Sequence, residues 1–198
     1  MTTFVLATHN AHKVVELRRI LGDLLGPHEL IAYDGPEPIE DGDTFEANAL
    51  IKARAAHAHT GLPALADDSG ISVDALGGAP GIHSARYALL SGAAERRDDG
   101  DNLALLLTNL EGVDDRAAQF VCAAALVDTD GEYVVRGEWP GSVLTAAAGE
   151  GGFGYDPIFL PDGETRSAAQ LSPAEKDAAS HRARAFIALT TELRRRYG

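Results

Sequence analysis

In LPALADDSGISV, residues 62–73, two carboxylates stand side by side, Asp67 and Asp68. Adjacent acids repel unless something answers their charge. With Glu40, from the acidic loop DGPEPIEDGD, they could hold a divalent cation. Magnesium prefers carboxylate oxygen and keeps several waters. Such an ion activates water and screens phosphate charge. The same DDSG string also suits a turn with a helix cap, because Asp and Ser favour such places.

Three further stretches carry groups for an anion or a base. In ATHNAHK a loop opens a helix, and a helix N-terminus offers unpaired N–H groups to phosphate. Lys13 lies in that first turn, where the dipole disfavours a cation. A broken local rule there points to a grip on phosphate; a solvated lysine is the plainer alternative. In AGEGGFGYDPIF, residues 149–154 match G-x-G-x-x-G. That motif needs a helix behind it, yet Tyr155-Asp156-Pro157 follows, and a residue before proline is pushed away from helix. The glycines instead let backbone approach a ligand, with Phe153 and Tyr155 offering flat faces to a base, unless this is a loop over two core aromatics. In EKDAASHRARAF, Lys176, His181 and Arg182 could meet phosphate or the polar edge of a base, or form a solvated helix face. The chain has no G-x-x-x-x-G-K-[ST], no H-E-x-x-H and no G-x-S-x-G.

The elements that must position these groups alternate. Residues 3–8 read as a buried strand. Asn10 caps a helix to about Leu25, with Val14, Leu17, Leu21 and Leu24 on one face. Residues 28–33 suit a second strand. Asp43 and Glu46 form a capping-box pattern for a second helix, whose buried side is Phe45, Ala49, Ala53 and Ala56, with His57 and His59 just exposed. Residues 63–66 make a strand ending at the acids, and residues 101–110 look helical. Residues 117–127 and 132–139 read as paired strands. Ser172-Pro173-Ala174-Glu175 starts a helix that runs, with a break, to Arg196. Strands mixed with helices imply an α/β architecture with a mixed sheet.

Whole-chain properties narrow the classes. The 198 residues suit one domain, with room for two lobes and a sizeable core. A formal net charge of −13 disfavours nucleic acid and anionic lipid as partners. No apolar run nears the roughly 20 residues of a membrane span, and MTTFVLATHN does not resemble a signal peptide. The single cysteine, Cys122 in AQFVCAAALV, excludes an internal disulfide and reads as a buried structural thiol. A cytoplasmic enzyme or binding protein is expected.

Five stretches, THNAHKVVEL, TFEANALIKA, LADDSGISVDALGGAPGIHSARY, GGFGYDPIF and LSPAEKDAASHRARAF, occur in an order and spacing that resemble the inosine triphosphate pyrophosphatase family nearly end to end. The resemblance implies an elongated α/β protein with a long mixed sheet flanked by helices, and two lobes with a central cleft. It implies a homodimer that uses magnesium to hydrolyse ITP, dITP or XTP to the monophosphate and pyrophosphate. By the same resemblance Asp68 is a metal ligand and the general base, and Glu40 a second metal carboxylate. Thr8, His9, Asn10, Ala11, His12 and Lys13 match the phosphate-binding segment, and Lys52 a lysine facing the triphosphate. His9 departs from the family pattern, where small residues are common, and is expected to narrow the phosphate loop slightly. Ser69 matches a substrate contact. Phe153, Gly154, Tyr155 and Asp156 match the base-binding segment, and Lys176, His181 and Arg182 the contacts that complete the pocket. His181 and Arg182 are the candidate donors to a 6-oxo group. Asp67 is either an outer helper or a metal ligand. The rival readings are a related pyrophosphatase for other nucleotides and a nucleotide sensor without catalysis.

Overall fold

The structure, a computed structural model, describes residues 1–198 apart from the side chain of Asp23. Strand β1 (Thr3–Leu6) runs parallel to β2 (Glu29–Ala32) and to β3 (Ala64–Val73). With β4 (Ala117–Asp128), β5 (Gly131–Val143) and β6 (Phe159–Pro161), the sheet order is β2-β1-β3-β4-β5-β6. β5 and β6 are antiparallel, so the sheet is mixed, as the alternation of elements predicts. Six α-helices accompany it: α1 (Ala11–Leu21), α2 (Phe45–Thr60), α3 (Tyr87–Ser91), α4 (Asp99–Asn109), α5 (Pro173–Ala179) and α6 (His181–Tyr197). Among the described residues no helix is long and apolar enough to cross a membrane.

The chain divides into two compact units. The first comprises Met1–Asp68, Cys122–Glu138 and Ser180–Gly198. Its core gathers Phe4, Leu6, Leu17, Leu21, Leu65, Leu126, Phe186 and Leu189, with the buried Cys122 thiol among them. The second comprises Ser69–Val121 and Trp139–Ala179. It is built around aromatic rings: Phe120 and Phe159 meet at 4.5 Å between centroids, and Trp139 lies 5.5 Å from Phe159. The first crossing along the chain falls between Asp68 and Ser69, and others follow Val121, Glu138 and Ala179.

Several local expectations shift. β3 does not end at the acids but runs through them to Val73. Successive strand residues face opposite sides, so Asp67 and Asp68 are not forced together. Helix α1 stops at Leu21; the Gly22 N–H bonds the Arg18 carbonyl, and Asp23–Leu25 continue as a 3₁₀ turn. The cap of α2 is Thr44, one residue after the expected Asp43: its hydroxyl accepts from the Ala47 N–H at 3.1 Å. Asn48 Oδ1 accepts from the Gly42 N–H, which binds the approaching chain to the helix and leaves Thr44 at its start. β5 extends to Val143, past Pro140, because Gly141–Val143 find partners on β6. The break between α5 and α6 falls at Ser180, whose extended backbone and hydroxyl cap α6 through the Ala183 N–H. Directly behind the 149–154 glycines stands a 3₁₀ turn, Asp156–Ile158, rather than an α-helix.

Candidate active site

The two acids of β3 have different surroundings within the first unit. Asp67 is 0% exposed, with Lys13 Nζ at 2.8 Å and Arg182 Nε at 3.3 Å on one oxygen. Arg182 in turn meets Glu16 at 2.7 Å. Burial alone would raise the Asp67 pKa, but the charges of Lys13, Arg182 and Lys52 outweigh it and hold the carboxyl well below the usual range. Asp67 is therefore a locked anion that joins α1, β3 and α6. Its other oxygen, Oδ1, has no hydrogen-bond partner among the described residues.

Asp68 is 7% exposed and receives Asn48 Nδ2 at 3.2 Å and Lys52 Nζ at 3.3 Å. Both donors come from α2, one turn apart, so the helix presents them together. Lys52 Nζ also lies 3.3 Å from Glu40 Oε2. Burial raises the Asp68 pKa, and Glu40 and Asp67 add to that against the pull of Lys52 and Lys13. Lys52 resists its own burial because Asp68, Asp67 and Glu40 favour its charge. Asp68 is thus the less compensated of the two acids, its carboxyl raised by burial despite Lys52 and Lys13.

The 8–13 segment is organised by its own hydrogen bonds. Asn10 Oδ1 caps α1, accepting from the His12 and Lys13 N–H groups at 2.9 and 3.2 Å. The Thr8 hydroxyl accepts from the Asn10 N–H. His9, Asn10, Ala11 and His12 are exposed. Lys13, the cation that offends the helix dipole, is answered by Asp67 rather than by solvent. The His9 ring is drawn to Gly35 O at 3.0 Å and rests 5.6 Å from the Tyr33 ring.

The second unit holds the remaining expected residues. Lys176 and Asp156 form a buried ion pair at 2.6 Å. Asp156 also accepts the Phe153 N–H at 2.9 Å, and Lys176 Nζ stands 4.9 Å from the centre of the Phe153 ring. Gly152, at φ +70°, permits this: a Cβ there would fall 2.0 Å from Asp156 Oδ2. Phe153 is half-buried. Tyr155, expected to offer its face to a base, is instead 5% exposed in the core, its hydroxyl donating to Ser84 O at 2.9 Å. Ser69 is half-buried at the start of this unit. His181 and Arg182, the first residues of α6, belong to the first unit, and Arg182 is 1% exposed with two carboxylates on its guanidinium.

The sequence profile of the Ham1 family matches residues 4–192. The chain belongs to the Ham1 family. It is 56% identical over 197 residues to the dITP/XTP pyrophosphatase of Leifsonia xyli subsp. xyli, covering 98% of this chain and 96% of that one. It is 51% identical over 205 residues to the dITP/XTP pyrophosphatase of Streptomyces coelicolor, across 100% of both. Among solved structures, a HAM1 protein from Coxiella burnetii superposes with a TM-score of 0.86 at 40% identity, over 98% of this chain and 100% of that one. The motif-based resemblance is borne out.

In this Ham1-family protein Asp68 and Glu40 share a neighbour, each lying 3.3 Å from Lys52 Nζ. Their hard oxygens suit magnesium. Among the described residues no three His, Cys, Asp or Glu side chains gather as a closed cage. An ion held by two carboxylates would complete its shell with water and phosphate oxygen, which is magnesium's habit. Sequence reasoning did not assign Glu16 and Asn48, partners of Arg182 and Asp68, or Asp99, whose carboxylate receives the Gly154 N–H at 3.0 Å. Asn48, one turn before Lys52, carried a readable spacing. Glu16 and Asp99 are acids on helices and carried none.

Proposed function

We infer that this Ham1-family protein hydrolyses non-standard purine nucleoside triphosphates, dITP, ITP and XTP, to the monophosphate and pyrophosphate. The observation that carries this reading is Asp68: a nearly buried carboxyl with a raised pKa, held by Asn48 and Lys52 and sharing that lysine with Glu40. The dITP/XTP pyrophosphatases at 51% and 56% identity supply the substrate class.

Phosphates repel an incoming nucleophile, so catalysis is chiefly positioning and charge neutralisation. Glu40 and Asp68 would hold a magnesium ion, which supplies charge neutralisation to phosphate oxygens. Asp68 accepts the proton of the water that attacks the α-phosphorus. Lys52 and Lys13 stabilise the charge of the departing pyrophosphate. Asp67 and Glu16 hold Lys13 and Arg182 in place. On the base side, Phe153 supplies a half-exposed ring and the Asp156–Lys176 pair fixes its loop. Preference for a 6-oxo purine follows if His181 or Arg182 donates to that oxygen, because a 6-amino group would leave the donor unpaired. The same reading, through the family resemblance, carries a second copy of the chain as partner and a cytoplasmic setting.

The deciding experiment is pyrophosphate release from dITP, XTP, dATP and dGTP, each with magnesium and with a chelator. Release from dITP and XTP that the chelator abolishes is expected. Equal release from dATP defeats the substrate assignment, and nucleotide binding without release points to a sensor.

A further inference from the structure

We propose that His9 is a positioning residue that latches the acidic segment carrying Glu40 onto the loop before α1; this rests on the pyrophosphatase reading above, in which Glu40 holds magnesium. All the residues involved belong to the first unit. Between β2 and α2 the described residues 33–44 form neither helix nor strand, so the path of this segment depends on the groups that grip it. Near its start, His9 Nε2 donates to the Gly35 carbonyl at 3.0 Å, since a carbonyl can only accept. The same ring lies 5.6 Å from the Tyr33 ring. Tyr33 is buried, its hydroxyl donates to Pro36 O at 3.2 Å, and its ring meets that of His59 edge-on. A Cβ on Gly35 would fall 2.4 Å from the Tyr33 hydroxyl oxygen, so the segment passes Tyr33 as bare backbone.

At the far end, Asn48 Oδ1 accepts the Gly42 N–H at 2.9 Å, and a Cβ on Gly42 would fall 2.8 Å from that oxygen. The other end of the same amide, Asn48 Nδ2, donates to Asp68 at 3.2 Å. Glu40 is therefore slung between a grip at Gly35 and Pro36 and a grip at Gly42 that is shared with Asp68. The two grips differ in kind. Asn48 is buried on α2, whereas His9 is exposed, on a loop ordered by the Thr8 and Asn10 bonds around it. A segment held at one end swings; held at both, it keeps Glu40 at 3.3 Å from Lys52, the lysine that also meets Asp68. Magnesium demands near-ideal geometry and here would take few protein ligands, so its affinity depends on where each carboxylate stands. Releasing the His9 grip should weaken magnesium binding more than it disturbs the fold.

Two readouts test the latch. Amide hydrogen exchange within residues 34–43 is followed in the full chain without metal or nucleotide, and the magnesium concentration for half-maximal pyrophosphate release from dITP is measured beside it. His9→Ala is expected to speed exchange in that segment and to raise half-saturating magnesium about fivefold, the size of one net hydrogen bond. Gly35→Ala keeps His9 but pushes the segment off Tyr33, and should do the same. His9→Gln keeps a donor and should recover part of both effects. The thermal midpoint of His9→Ala should hardly move, as for an exposed side chain. Unchanged exchange in His9→Ala, or a raised KM for dITP with half-saturating magnesium unchanged, would overturn the latch while the pyrophosphatase reading stands. A large fall in the midpoint, with exchange faster throughout the chain, would overturn it in favour of a general structural role. Should Gly35→Ala not fold, the two His9 variants decide. If the unmodified protein releases no pyrophosphate from dITP, the pyrophosphatase reading falls, and exchange alone decides whether His9 holds the segment.

Discussion

Around Asp67 and Asp68 the protein works with charge: Lys13, Glu16, Glu40, Lys52 and Arg182 all converge there in ion pairs of 2.7–3.3 Å. Around Phe153 and Tyr155 it works with hydrogen bonds to backbone groups, and one ion pair, Asp156–Lys176, whose carboxylate also accepts the Phe153 N–H. Under the proposed function, charge would answer a triphosphate, and shape and donors would read the neutral edge of a purine. The contrast extends to the two acids. One strand step separates an anion paired with two cations from a carboxyl raised by burial. Two adjacent acids thus differ in counter-charge, and the proposed function assigns the chemistry to Asp68, the less compensated of the two.

The strongest way to break this comparison is Asp68→Asn. Pyrophosphate release from dITP should fall by about 10³-fold, within the range for losing a general base, with the circular dichroism spectrum unchanged. Turnover near the unmodified rate would remove Asp68 from the chemistry. Asp67→Asn should instead damage the fold, since Lys13 and Arg182 lose their shared anion. Breaking a buried pair costs about 3–5 kcal/mol, readable in urea unfolding. A loss well below this would show that Asp67 is not the lock. Lys176→Met sharpens the other side: with Asp156 left unpaired the loop loosens, and KM for dITP should rise about tenfold, about 1.4 kcal/mol of binding. A kcat effect larger than the KM effect would give Lys176 a part in the chemistry.

The smallest effect is a control away from both acids. Asp128 is opposed by burial but held ionised by Tyr197, Arg196 and the Asp130 N–H, so its folded pKa is depressed. The stability it contributes is fully present above the unfolded carboxylate pKa of about 3.9 and is lost as pH falls through the folded value. The stability gap between the protein and Asp128→Asn should therefore be constant near neutrality and close below about pH 4. A gap that widens on acidification reverses the sign and the assignment.

Much of the fold was legible because its signals are local. Asn10, Ser172 and Ser180 cap helices through N–H groups two or three residues away, and a cap can be read from its own neighbours. The misplaced cap at Asp43 shows the limit: Asn48, reaching back to Gly42, chose Thr44. The strand through the acids was misjudged because two adjacent carboxylates read as a terminus when their partners are out of view. Tyr155 looked like a base platform because an aromatic after glycines carries no mark of whether its ring faces solvent or core.

Residue order alone determined the alternation of strands and helices, the ruling out of a dinucleotide loop by Tyr155-Asp156-Pro157, and the family, through five stretches in one spacing. Tertiary structure alone decided which of two neighbouring acids is locked and which is poised. That choice depends on Arg182, 115 residues from Asp67, and on Glu16, 166 residues from Arg182. Coulomb forces and burial act through space, and only the folded chain sets those distances.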